Sequence, residues 1–370
     1  MSEANLIEHA THTMAVCNAC RYCEQYCVLF PAMEQRLAFG EADLTYLANL
    51  CHNCGECLYA CQYAPPHEFA INVPRTMAEL RRRSFEEYAW PPSAARLYRR
   101  RAVGLSLLLV AAFTVILSAI STIWNSAGVG AERTDADFYA VLPHLVMVTL
   151  FGGVALFVTV ALTLAVARFW REVHRGAALP VRHGIHRGIV DALSLRNLHA
   201  SGVDCTIGEE RRTSWRRWCH HATFYGFVLC FASTSVAAVY HTFFGWFAPY
   251  RYISLPVLLG AIGGIGLTIG PIGLWWLRLR RDPDMTDPGQ DATDAAFILL
   301  LVLTSLTGLI LLASRGTTAM PGLLIIHLAI VLALFVTLPY GKFVHGLFRT
   351  AALLKFAREE DRERRRSTSM

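Results

Sequence analysis

Residues 1–100 are mostly polar, whereas residues 102–346 carry six long apolar runs. The runs lie at about 102–124, 141–169, 219–246, 253–277, 294–313 and 320–346. Each reaches the ~20 residues that a helix needs to cross a hydrocarbon core of ~30 Å, so the pattern predicts six transmembrane helices. In the polar part, Leu44, Leu47 and Leu50 recur every three residues behind Glu41 and Asp43, which predicts a short helix over 41–50. Alternating β-branched residues are missing there, and Pro65-Pro66 and Pro74 are expected to force extended chain. The fold expected is all-α. It comprises a small helical domain at 1–95, a six-span membrane domain at 96–346 with a loop at about 171–218, and a charged tail at 347–370.

Composition points the same way: 54% of the 370 residues are hydrophobic and 17% charged, too apolar for a water-soluble chain. Arginines are unevenly placed. Arg99, Arg100 and Arg101 precede the first run, and Arg168 and Arg171 close the second. Arg182, Arg187, Arg196, Arg211, Arg212, Arg216 and Arg217 crowd the loop before the third, and Arg278, Arg280 and Arg281 follow the fourth. The alternate connections hold single arginines, Arg133, Arg251 and Arg315. Positive flanks stay inside, which predicts a multi-pass protein of the cytoplasmic (inner) membrane with both termini cytoplasmic. The net charge of +6 then reflects arginines that face the anionic headgroups of the lipid bilayer, and it requires no nucleic-acid partner.

Eight of the eleven cysteines form two copies of one spacing, Cys17-x2-Cys20-x2-Cys23-x3-Cys27 and Cys51-x2-Cys54-x2-Cys57-x3-Cys61. This is the ligand pattern of cubane iron–sulfur clusters, in which the fourth cysteine of each run usually serves the other run's cluster. Cys17, Cys20, Cys23 and Cys61 are therefore expected to hold one [4Fe-4S] cluster, and Cys51, Cys54, Cys57 and Cys27 a second. Structural zinc uses two CxxC pairs across a longer loop. Disulfide frameworks belong to short secreted domains, and no stretch before residue 100 resembles a secretion signal. Combined with the helical reading, the motifs predict a two-cluster α-helical ferredoxin-type domain. In many ferredoxins a proline follows the fourth cysteine; here Val28 and Gln62 stand in those places. Cys205, Cys219 and Cys230 have no partner spacing and read as small buried apolar residues.

Histidine is costly inside a bilayer and tends to be functional there. His144, His220 (or its neighbour His221), His241, His327 and His345 stand in or at the ends of the runs. Haem b held between two helices is the use they suggest. His327 and His345 differ by eighteen residues, five turns at ~3.6 residues each, which puts them on one face near opposite membrane surfaces. His220 and His241 differ by twenty-one residues and lie about 60° apart, while His221 falls about 160° from His241. Runs three and six are antiparallel, so His220 shares a depth with His345, and His241 with His327. One or two haems follow, with His144 an alternative outer ligand. The competing reading for His220, His221 and His345 is a polar helix end.

His174, His183, His186 and His199 are expected to be solvated loop residues. Gly260, Gly264, Gly266 and Gly270 read as helix-packing positions, and Pro256 and Pro271 as bends in the same span. The acidic stretch Asp282 to Asp294 reads as a solvated connector. No glycine-rich nucleotide fingerprint follows a strand, so neither FAD nor NAD is expected on this chain.

Several segments together resemble the tricarballylate-utilisation protein TcuB, or citrate-utilisation protein CitB, family over nearly the whole chain. They are the two cysteine runs, Cys51-His52-Asn53-Cys54-Gly55-Glu56-Cys57, the stretch Arg216 to Phe227 around His220-His221, and Ala248-Pro249-Tyr250. The resemblance implies an architecture similar to the membrane haem b subunits of respiratory nitrate reductase and heterodisulfide reductase. It also implies a role: reoxidising the flavin of a partner flavoprotein dehydrogenase that acts on tricarballylate, and passing the electrons through clusters and haem to membrane quinone. The residues by themselves imply a relay, with no pocket for a tricarboxylate. They fix its direction weakly, since cluster potentials span roughly −700 to +450 mV. Two rival classes are a redox-sensing membrane protein, which needs neither a second cluster nor histidines in the bilayer, and a transporter. A transporter predicts intramembrane carboxylates, which the interiors of the six runs essentially lack.

Overall fold

The computed structural model describes residues 3–126, 138–175, 184–198, 205–207 and 211–368. Arg133, Arg182, His183 and His199 lie outside the described residues, and only the backbone is described for Cys205, Arg211 and Arg212.

The N-terminal domain packs α1 (Glu3–Cys20), α2 (Leu29–Glu34), α3 (Glu41–Leu50), α4 (Glu56–Tyr59) and α5 (Val73–Glu87). The helix expected at 41–50 is α3, with Glu41 and Asp43 in its first turn and Leu44, Leu47 and Leu50 fully buried. Met14, Leu29, Met33 and Met77 close around it. Pro74 does not hold the chain extended. It opens α5, where its missing N–H has no intrahelical partner to lose, and the Asn72 side chain accepts from the Arg75 amide at 3.0 Å to cap the turn.

Beyond α6 (Pro92–Arg100) come α7 (Ala102–Ser126), α8 (Phe138–Val141), α9 (His144–Val173) and α10 (Ile185–Leu193). A short antiparallel hairpin follows, β1 (Cys205–Ile207) with β2 (Arg211–Thr213), and then α11 (Trp215–Phe244), α12 (Leu255–Leu279), α13 (Asp291–Ser314), α14 (Met320–Thr337) and α15 (Val344–Thr368). Among the described residues the regular structure is all-helical apart from that hairpin. Among the described residues six helices are long and apolar enough to cross a membrane: α7, α9, α11, α12, α13 with its preceding turn, and α14. They make this a multi-pass membrane protein. In the bundle α7 packs on α14, α14 on α13, α13 on α12, and α12 on α11. The last contact is the tightest. A Cβ on Gly270 would stand 2.6 Å from the Thr223 nitrogen, and one on Gly226 would stand 2.7 Å from the Leu267 nitrogen.

The sixth run is not one helix. Its helix ends at Thr337, and a new helix starts at Val344. Pro339 lacks the N–H that would continue the ladder, so the helix stops although Leu338 itself keeps helical dihedrals (φ −50°, ψ −45°). His345 therefore belongs to α15 and does not share a helical face with His327. Nor is the segment after residue 346 a free charged tail: α15 lies against α3, α9 and α10. Glu359 bonds Arg36 at 2.8 Å, Lys355 at 3.1 Å and the Tyr46 hydroxyl at 2.9 Å. Phe348 stacks on Phe169 at 4.8 Å. The acidic connector is also docked, because its polar groups find partners on the N-terminal domain. Asp287 pairs with Arg82 at 2.5 Å, Asp282 accepts from Tyr59 at 3.1 Å, and Met285 is fully buried.

Candidate metal centres

Cys17 and Cys20 end α1, Cys51 caps the C-terminus of α3, and Cys57 lies in α4. Gly55, at φ +88°, turns the chain between Cys54 and Cys57, and a Cβ there would overlap the Met285 sulfur. The two runs interleave. Cys17, Cys20, Cys23 and Cys61 line one cavity of about 260 Å³, together with Cys57, Tyr22, Phe30 and Tyr63. The thiols acting on Cys27 are those of Cys54 and Cys51, and the first two acting on Cys57 are the same. In a cubane each iron takes one thiolate, so the four sulfurs surround a volume and do not converge on a point. Among the described residues no three His, Cys, Asp or Glu side chains converge on a single ion. Several cysteines around a largely apolar cavity suit a cluster. Burial, with Cys61 next in effect, pushes Cys17 and Cys23 up to about 12. These groups are neutral thiols until a cation holds them as thiolates.

The loop of the second run is held by arginines from the rest of the molecule. Arg216 of α11 donates to the carbonyls of His52 and Asn53, each at 2.8 Å, and Arg349 of α15 donates to Leu50 O at 2.8 Å. Arg81 of α5 donates to Cys51 O and Arg281 to Asn53 O. Burial and then these four arginines hold His52 well below the ordinary imidazole range, and among the described residues neither of its ring nitrogens finds a hydrogen-bond partner. Arg349 is pulled down to about 10, first by burial, and stays charged at neutral pH.

The histidines fall into groups. His220 and His345 face each other with ring centres 6.1 Å apart at 76°, and among the described residues Nδ1 of His220 has no hydrogen-bond partner. Burial, with Lys342 alongside, pulls His345 down to about 4, leaving a neutral imidazole. At the other end of α11, His241 stacks on His144 at 3.8 Å and meets the Tyr139 hydroxyl at 3.1 Å. His327 does not take that place: its Nδ1 lies 3.0 Å from Thr307 Oγ1 on α13. His221 turns back to the Arg217 carbonyl at 2.9 Å, beside Trp218 and Tyr225. His174 bonds the Trp170 carbonyl at 2.9 Å, and His186 is exposed on α10.

In the sequence Arg216 stands out as a topology signal and as the start of the family-like stretch Arg216 to Phe227, whereas Arg81 and Arg349 do not stand out. One signal was available. Arg216 precedes His220 by four residues and Arg349 follows His345 by four, so each arginine shares a helix face with its histidine.

A cysteine-rich helical domain set on six apolar helices defines a class, the membrane iron–sulfur electron-transfer proteins. Residues 10–87 match the family described as Citrate utilization protein B Fer4-like domain, and residues 96–367 match Citrate utilization protein B. An Escherichia coli protein named Citrate utilization protein B is 51% identical over 350 residues, covering 94% of this chain and 91% of that one. The chain belongs to the citrate utilization protein B family. No solved structure matches it.

Proposed function

We propose that this protein takes electrons from a flavin-dependent dehydrogenase on the cytoplasmic side and relays them through two [4Fe-4S] clusters and haem b to membrane quinone. One observation carries the reading: two of the arginines that grip the second cysteine loop, Arg216 and Arg349, stand one helical turn, about 5.4 Å, from the facing histidines His220 and His345. Two imidazoles that bind one metal at about 2 Å each stand with ring centres about 6 Å apart, which favours His220 and His345 as axial ligands. His144 and His241 would hold a second haem once their stacked rings part, with His327 and His221 as further candidates. Clusters and haem accept single electrons, so a two-electron flavin can be drained stepwise. The arginine pattern supports a cytoplasmic cluster domain and cytoplasmic termini. The relative's name points to citrate and the resemblance to tricarballylate, so the partner's substrate is a tricarboxylate.

Protein purified anaerobically in detergent should carry roughly eight cluster irons with matching sulfide, show a haem absorbance band, and be reduced by the flavoprotein and reoxidised by quinone. His220→Ala and His345→Ala should each lose haem absorbance; an unchanged spectrum in both removes them as ligands. Colourless, iron-free protein overturns the reading.

A further inference from the structure

We propose that Arg81, Arg216, Arg281 and Arg349 make the site of Cys51, Cys54, Cys57 and Cys27 the better electron acceptor of the two, so that electrons settle next to the membrane bundle. The inference rests on the two-cluster reading and adds an order to it.

The four guanidiniums come from α5, α11, the turn after α12, and α15, and all donate to carbonyls of residues 50–53. The carboxylates that act on Arg81, Asp294 and Asp287, are already engaged, Asp294 by Lys342 at 3.0 Å and Asp287 by Arg82 at 2.5 Å. The other site differs. The carboxylate of Glu56 acts on Cys23, and Arg21, inside the first run, makes an exposed bond to Asn18 O at 3.1 Å. Adding an electron to a cluster adds negative charge. Fixed positive charge and hydrogen bonds in a poorly solvated site favour that form and raise the potential. In the exchange one electron leaves the site of Cys17, Cys20, Cys23 and Cys61, which is oxidised, and the site of Cys51 is reduced by one. No bond or proton changes place. The gripped loop lies on the side of α11 and α15, so the accepting site is the one beside His220 and His345.

The test is a potentiometric titration of the full-length protein in detergent, followed by electron paramagnetic resonance. Cys54→Ser and Cys20→Ser assign the two signals. In the unaltered protein the signal sensitive to Cys54→Ser should titrate at the higher potential. Arg216→Gln and Arg349→Gln should each shift electron distribution toward the other site by tenfold or more, about 59 mV for one electron. Arg216→Lys, which keeps the charge, should restore most of the difference and keeps the test open if the glutamine variants do not assemble. Arg75→Gln, on the exposed face of α5, should change nothing. Equal or reversed potentials, or equal shifts of both signals, overturn the inference while leaving the two-cluster reading intact. Absence of both signals together with absence of iron overturns both.

Discussion

Cys61 belongs to the second run in sequence but lines a cavity with Cys17, Cys20 and Cys23. Cys61→Ser and Cys20→Ser should therefore disturb the same paramagnetic signal, and each variant should lose about half of the cluster iron. Loss of different signals would show that each run serves its own cluster. The thiols also set a pH dependence. In the apo-protein Cys17 and Cys23 sit up at about 12, above the unfolded value of about 8.5. The folded apo-protein thus holds these protons more tightly than the unfolded chain. That contribution is fully present below about pH 8.5 and is lost as pH climbs toward 12. Iron binding displaces the same protons, so chemical reconstitution should become more complete between about pH 7 and pH 9, followed by cluster absorbance. A yield that falls over this range would contradict protonated resting thiols. At this scale the expectation comes from the sequence itself, because ligand type and spacing are local and the crossed pairing is a property of the repeated motif.

Elements were less legible where two of them meet. The glycines Gly260, Gly264, Gly266 and Gly270 of α12 are expected to pack, and the structure shows against what: Gly266 faces Ala222 and Gly270 faces Thr223, both on α11. Gly226→Leu would drive a side chain into α12 at the Leu267 nitrogen. Overpacking of this kind costs about 1–3 kcal/mol, so the variant should unfold at lower temperature in detergent, and an unchanged midpoint would mean that α11 stands free of α12. The split of the sixth run was hidden because apolar periodicity continues on both sides of Pro339. Hydropathy measures the greasiness of a window, and it misses a single residue that cannot donate its N–H.

The N-terminal domain and the bundle are joined by α15 and by the connector after α12, two segments that composition marks as solvent-facing. Phe348 sits fully buried between the domains, stacked on Phe169 and within 6.0 Å of Tyr88. Phe348→Ala should cost about 3–5 kcal/mol and expose the 88–101 segment to limited proteolysis while leaving the six spans inserted. Resistance equal to that of the unaltered protein would show that the ring is dispensable. The amino-acid sequence alone determined the apolar runs long enough to span a membrane, the repeated cysteine spacing and the helical character, because each follows from neighbours within one turn, one motif or one bilayer thickness. Only the tertiary structure decided that Arg81, Arg216, Arg281 and Arg349 converge on one loop, and that His220 meets His345 while His241 meets His144. Those contacts join residues far apart in the chain, and their geometry depends on how helices pack. Composition and periodicity carry no record of that packing.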